Sequence, residues 1–180
     1  LFIKGGIFIQ KGDSKMETIF CSFDQYPQAH KAVKALMEAG YPEEEMNAII
    51  RMEEAKFHLE QDLDELKVDV TDELGSIEAK GMDRLIGGQQ HLELEDIGKV
   101  YASGKLATIA AKTAADPDHG TGNLKDSLIE LDVDLPLAKA YRQKIIDGGV
   151  LFFIRVQDEA MEEAVRILNE NKAENVTMVP

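Results

Sequence analysis

Gly148-Gly149-Val150-Leu151-Phe152-Phe153-Ile154-Arg155-Val156 decides the fold of this chain. A glycine pair opens an unbroken apolar run of strand length, rich in β-branched and aromatic residues. Asp158 follows as a helix cap. A helix bearing Met161, Ala164, Val165 and Leu168 comes next, and Asn175-Val176-Thr177-Met178-Val179 reads as a last strand. The same plan stands at the other end. Glu17–Phe23 reads as a strand closed by Asp24, and Pro27 suits the first turn of a helix, where its missing N–H costs nothing. That helix carries Ala29, Ala32, Val33, Leu36 and Met37 and closes at Gly40, and Met46–Arg51 is a second strand. Ala32-Val33-x-x-Leu36 matches Ala164-Val165-x-x-Leu168 in spacing, and each follows a strand ending near an aspartate. Two strand–helix–strand halves sharing one sheet predict an α+β fold: a ferredoxin-like split βαβ core of four strands. Right-handed crossovers place both helices on one face.

The halves occupy 16–51 and 149–180, and residues 52–148 form a long, mainly helical insertion within a single domain spanning 16–180. Within the insertion, Met52–Leu74 is acidic and helix-prone, and 78–87 reads as a short helix. Strand character surrounds Val100–Ala102, and Lys105–Ala114 is an alanine-rich helix. Asp116–Gly122 is a loop. Asn123 caps a helix running to Leu131, and Pro136 opens another bearing Leu137, Tyr141 and Ile145.

The opening residues, LFIKGGIFIQKGDSK, are too short and too interrupted to span a bilayer, which takes about 20 apolar residues. They also lack the charge order and cleavage site of a secretory signal. A hairpin turning at Gly5-Gly6 is physically reasonable. A better reading takes residues 1–15 as non-native. Lys11-Gly12-Asp13 can be encoded to contain AAGGAG, a bacterial ribosome-binding sequence just upstream of the Met16 codon, so translation is expected to start at Met16.

Composition narrows the function classes. The 180 residues include 34 acidic and 20 basic ones, a formal net charge of −14. Nucleic acid and anionic lipid both call for a basic face, so both are disfavoured. One cysteine precludes an internal disulfide and suits the cytoplasm. Trp is absent, and four Tyr and seven Phe leave little for a stacking surface.

Chemical motifs are weak throughout. None of His30, His58, His91 and His119 pairs with another at a helical spacing, so no helical metal face exists and no metal or cofactor is expected. Asp116-x-Asp118-x-Gly120 fails the calcium-loop test, because Thr121 and Ser127 stand where Gly and Glu are needed. Cys21 alternates with Ile19 and Phe23, so it reads as a small hydrophobe rather than a nucleophile. The glycines at 98–104 and 120–122 lack the following Gly-Lys-Ser/Thr of a phosphate loop. The acid-rich run from Glu43 to Glu73 is a solvated face. If a ligand binds, the middle segment is the place, with Gly98, Tyr101, Ser103 and Gly104 as its contacts.

Three segments together resemble the general stress protein 17M-like, or heat-induced stress protein, family of bacteria. They are Ala39-Gly40-Tyr41-Pro42-Glu43-Glu44-Glu45, Asp96-Ile97-Gly98-Lys99-Val100-Tyr101-Ala102-Ser103-Gly104, and Asp147-Gly148-Gly149 with the run to Val156. The resemblance spans most of 16–180. Many relatives carry a nearly membrane-like middle, whereas Lys99, Lys105 and Lys112 stand here. It implies a stress-linked bacterial protein and supplies no catalytic residues. The expected function is a non-catalytic domain acting by self-association, as a dimer, or by protein binding. A four-stranded sheet leaves one face and its edges to be covered, by a second copy or by the insertion. The alternative is a small-molecule binding domain with its pocket between sheet and insertion.

Overall fold

The structure, a computed structural model, describes residues 15–65, 80–87, 89, 91–115 and 123–180. The opening hairpin or leader, the acidic stretch beyond residue 65 and the loop at 116–122 lie outside the described residues. The elements run β1 (Met16–Phe23), α1 (Tyr26–Glu38), a 3-10 turn (Glu43–Glu45), β2 (Met46–Arg51), α2 (Met52–Glu65), α3 (Gly81–Ile86), β3 (His91–Leu94) and β4 (Gly98–Ser103). Then follow α4 (Lys105–Ala115), α5 (Leu124–Glu130), α6 (Leu135–Ile146), β5 (Val150–Gln157), α7 (Asp158–Glu170) and β6 (Glu174–Val179).

The α+β class holds, but the sheet is not the expected four-stranded ferredoxin-like one. It has six strands in the order β3-β4-β2-β5-β1-β6, and every neighbouring pair is antiparallel. The β3–β4 hairpin of the insertion extends it, with Ala48 opposite Ser103 and Arg51 opposite Val100. Nothing in a four-residue strand such as His91–Leu94 announces pairing, so hairpin geometry and the free edge of β2 made this choice. The two halves interleave. β1 and β2 run parallel with β5 between them, and β5 and β6 run parallel with β1 between them.

Helices cover both faces of the sheet, which corrects the one-face expectation for the molecule as a whole. On the first face Ile19, Cys21, Phe23, Ala48, Ile50, Phe152 and Ile154 pack under α1, α2, α3 and α7. On the second, Phe20, Ile49, Val100, Leu151 and Phe153 pack under α4, α5 and α6. The helices of the two halves, α1 and α7, do share the first face. A strand buried on both sides needs a continuous apolar run, and Val150–Ile154 is one: all five residues are buried. Phe20 and Phe153, opposite each other, stack with ring centroids 4.6 Å apart.

Local signals explain most helix ends. Gln25 and Gln28 cap α1 reciprocally, and Gly40, at φ +94°, closes it with its N–H on Met37 and the Tyr41 N–H on Leu36. Asn123 Oδ1 takes the Asp126 N–H at 2.9 Å, and Asp134 Oδ1 takes the Leu137 N–H at 3.0 Å. Asp158 departs from expectation. It is the first helical residue of α7, after Gln157 as cap, so its charge acts on the helix end without a capping bond.

Candidate functional site

The four residues singled out in the middle segment all lie on or beside β4. Gly98 leaves the β3–β4 turn at φ +102°, a backbone conformation costly for other residues, and open space lies where a side chain would stand. Tyr101 is half-buried between His91 and Ile50 in the sheet and packs on the first core. Ser103, on the same face, is buried and donates its hydroxyl hydrogen to the Leu85 carbonyl at 2.5 Å, tying α3 to the sheet. Gly104, at φ +95°, brings the chain so close to Met46 and Asn47 that a Cβ would collide with the backbone. Each position thus has a packing duty. Tyr101 and Ser103 share a face, while Gly98 and Gly104 stand at opposite ends of the strand.

Asn47 is a structural neighbour of this segment that no motif in the sequence announces. It is buried in β2, and its Oδ1 accepts the N–H groups of Leu106 at 2.9 Å and Ala107 at 3.1 Å. Gly104 offers no capping side chain to α4, so the cap comes from across the sheet. No sequence signal links residues 60 positions apart.

A second polar group joins α1, α2 and α3. The Tyr26 hydroxyl donates to Asp83 Oδ1 at 2.5 Å, and His30 Nδ1 lies 3.8 Å from the same oxygen. The His58 ring stacks on Tyr26 at 4.9 Å, almost parallel. Two histidines with no helical pairing therefore converge on one tyrosine. Tyr26 is itself only 2% exposed, and its hydroxyl is engaged by Asp83. Among the described residues, no three His, Cys, Asp or Glu side chains form a group that could hold a metal ion.

At one end of the sheet Lys144 of α6 bridges Asp24, after β1, and Glu174, at the start of β6, the latter at 2.7 Å. The hydrogen bond to Lys144 holds the Asp24 carboxyl below its ordinary range, and the bonds to Asp24 and Glu174 push the Lys144 ammonium up. Cys21 is completely buried, and burial alone drives its thiol far above the ordinary range. It has none of the electropositive, accessible surroundings of a nucleophilic cysteine.

Two grooves stand out, and neither touches the middle segment. The larger, about 440 Å³, lies between the two halves, where Tyr41 and Pro42 face Val156 and Ala160 and where Arg155 meets Glu45 at 3.8 Å. The Tyr41 hydroxyl donates across it to the Ala160 carbonyl at 2.7 Å. No residue of 52–148 lines this groove, so its place differs from the pocket expected between sheet and insertion. The second, about 380 Å³, gathers Lys34, Lys80 and Arg84 beside Glu38 and Glu43, and Arg84 already holds Glu43 at 2.5 Å.

No known protein decides the matter. The chain matches no family model, no curated protein and no solved structure. The stress-protein resemblance accordingly rests on its three quoted segments. Among the described residues, no helix is long and apolar enough to cross a membrane.

Proposed function

We propose that the chain is a non-catalytic bacterial stress-response domain that acts by self-association. One observation supports the non-catalytic part of the reading: the residues that looked most like ligand contacts are engaged in packing, and since helices of the same chain cover both sheet faces, self-association is left to the sheet edges and the helical surface. A protein built this way offers surfaces and edges rather than a reactive centre. The stress link is supported by the three segments quoted above, and a cytoplasmic setting is supported by the lone, buried Cys21. We also read β6-β1-β5-β2 as a ferredoxin-like core extended by the β3–β4 hairpin, a reading supported by the interleaved halves. Light scattering on the full chain over a wide concentration range tests the function. A mass of twice 20.0 kDa is expected, and a mass of 20.0 kDa at every concentration overturns it.

The groove between the halves favours a second reading, a small-molecule binding domain. It joins apolar walls to a few polar groups, the Tyr41 hydroxyl, the Arg155 guanidinium and the Glu45 and Glu163 carboxylates, the kind of mixture that lines small-molecule sites. Thermal-shift screening tests it, because a ligand that binds only the folded state raises the melting temperature. A rise that Arg155→Ala abolishes supports the reading, and a flat screen of small polar and charged metabolites removes it.

A further inference from the structure

We infer that the groove between the two halves takes a small zwitterion, an α-amino acid with an apolar side chain, held alongside the Arg155–Glu45 pair. The inference rests on the small-molecule reading of that groove and names the class of ligand.

The pair is positioned by the sheet and only loosely closed. β2 and β5 are antiparallel neighbours with Met46 opposite Ile154, so Glu45, at the end of the turn before β2, stands beside Arg155. Their nearest nitrogen and oxygen are 3.8 Å apart, too far for a hydrogen bond, and both side chains are partly exposed. The guanidinium thus keeps N–H groups to donate, and the carboxylate keeps lone pairs to accept them.

Charge selects what can use this pair. An acid that binds Arg155 brings its own negative charge against Glu45 and Glu163, which line the same groove. It also approaches a chain of net charge −14. An amine that binds Glu45 brings its positive charge against Arg155. A zwitterion lies beside the pair with its carboxylate on the guanidinium and its ammonium on the carboxylate. Both protein charges then gain hydrogen bonds, and neither loses its partner. The ligand carries no net charge, so the field of the chain does not oppose it. In an α-amino acid one carbon separates the two charged groups, so both reach a pair this close.

The rest of the groove suits the carbon part of such a ligand. Met16, Pro42, Val156 and Ala160 give it apolar walls, and about 440 Å³ lies within the range of small-molecule sites. Tyr41 joins the halves there through its bond to the Ala160 carbonyl. Burial, and then the Glu163 carboxylate, push the Tyr41 phenol pKa up. Its hydroxyl therefore stays protonated, and its oxygen remains an acceptor within the groove.

The test is isothermal titration calorimetry on the full chain at slightly acidic pH with three ligands. They are leucine, leucinamide, which lacks the carboxylate, and N-acetylleucine, which lacks the ammonium. Leucine is expected to bind, and each analogue to bind at least about tenfold more weakly, the effect of one lost hydrogen bond to a charged group. Arg155→Ala should bring leucine down toward leucinamide while leaving leucinamide no weaker. Glu45→Gln should bring leucine down toward N-acetylleucine while leaving N-acetylleucine no weaker. Circular dichroism checks the fold of each variant, and the three ligands on the unaltered chain decide the matter if a variant fails to fold. Either analogue binding as well as leucine overturns the zwitterion. So does silence from all three when the wider thermal-shift screen finds another ligand whose effect Arg155→Ala abolishes, and the small-molecule reading then stands. Silence in both experiments overturns the inference and that reading together.

Discussion

The side-chain oxygen of Asn47, in β2, accepts the backbone N–H of Leu106 in the first turn of α4. The same oxygen takes the Ala107 N–H. One buried amide thus satisfies two of the orphan donors of a helix that follows a glycine, and it locks the second helical layer to the sheet. Gly104 makes the approach possible, because any Cβ there would strike Met46 and Asn47.

Asn47→Ala should therefore cost about 1–3 kcal/mol of unfolding free energy, the loss of a cap together with buried donors left unpaired. Gly104→Ala should cost at least about 1 kcal/mol through its left-handed backbone and the collision. Urea unfolding measures both. A change within a few tenths of a kcal/mol for either would contradict this account of the joint.

Ser103 gives a test that separates packing from binding. Its hydroxyl holds the Leu85 carbonyl, so Ser103→Ala should lower stability by about 1–2 kcal/mol. Amide exchange should speed up in α3 more than in α6. An unchanged stability with unchanged exchange would return Ser103 to the list of ligand contacts.

Cys21 should be inert in the folded protein. It is fully enclosed in the first core, and burial disfavours its thiolate. A thiol reagent at mildly alkaline pH should label it only after denaturant is added, at a rate that follows global unfolding. Fast labelling of the native chain would show that β1 opens on its own.

The Lys144 bridge predicts a pH dependence with a definite sign. The Asp24 pKa is lowered on folding, so its contribution is present above the ordinary carboxyl pKa of 3.8 and is lost as pH falls through the depressed folded value. The Lys144 pKa is raised, so its contribution is complete below 10.5 and is lost as pH rises through the elevated folded value. Asp24 and Glu174 are about half exposed, which keeps the worth of the bridge to about 1 kcal/mol or less. Lys144→Met should destabilise the chain near neutral pH, and the difference from the unaltered chain should shrink toward both extremes. A difference that stays constant from acid to alkali would mean that lost packing of the lysine stem, rather than charge, is responsible.

Residues near one another in the chain set the four strands of the two halves, the helices between them and most of their ends. Each of those features depends on residues close in the chain: alternation in Ile19–Phe23, the doubly buried run Val150–Ile154 and the left-handed close at Gly40, as does the Asn123 cap in the insertion. Tertiary structure alone decided the rest. The β3–β4 hairpin joined the sheet because β2 had an open edge, and α4, α5 and α6 settled on the second face because Phe20, Ile49 and Phe153 needed cover. The polar joints are of the same kind. Asn47 meets Leu106, Tyr26 meets Asp83, Ser103 meets Leu85 and Lys144 meets Asp24, and these partners are brought together by packing. A hydrogen bond between residues distant in sequence leaves no periodic trace in the chain, because its geometry exists only once the apolar layers have closed.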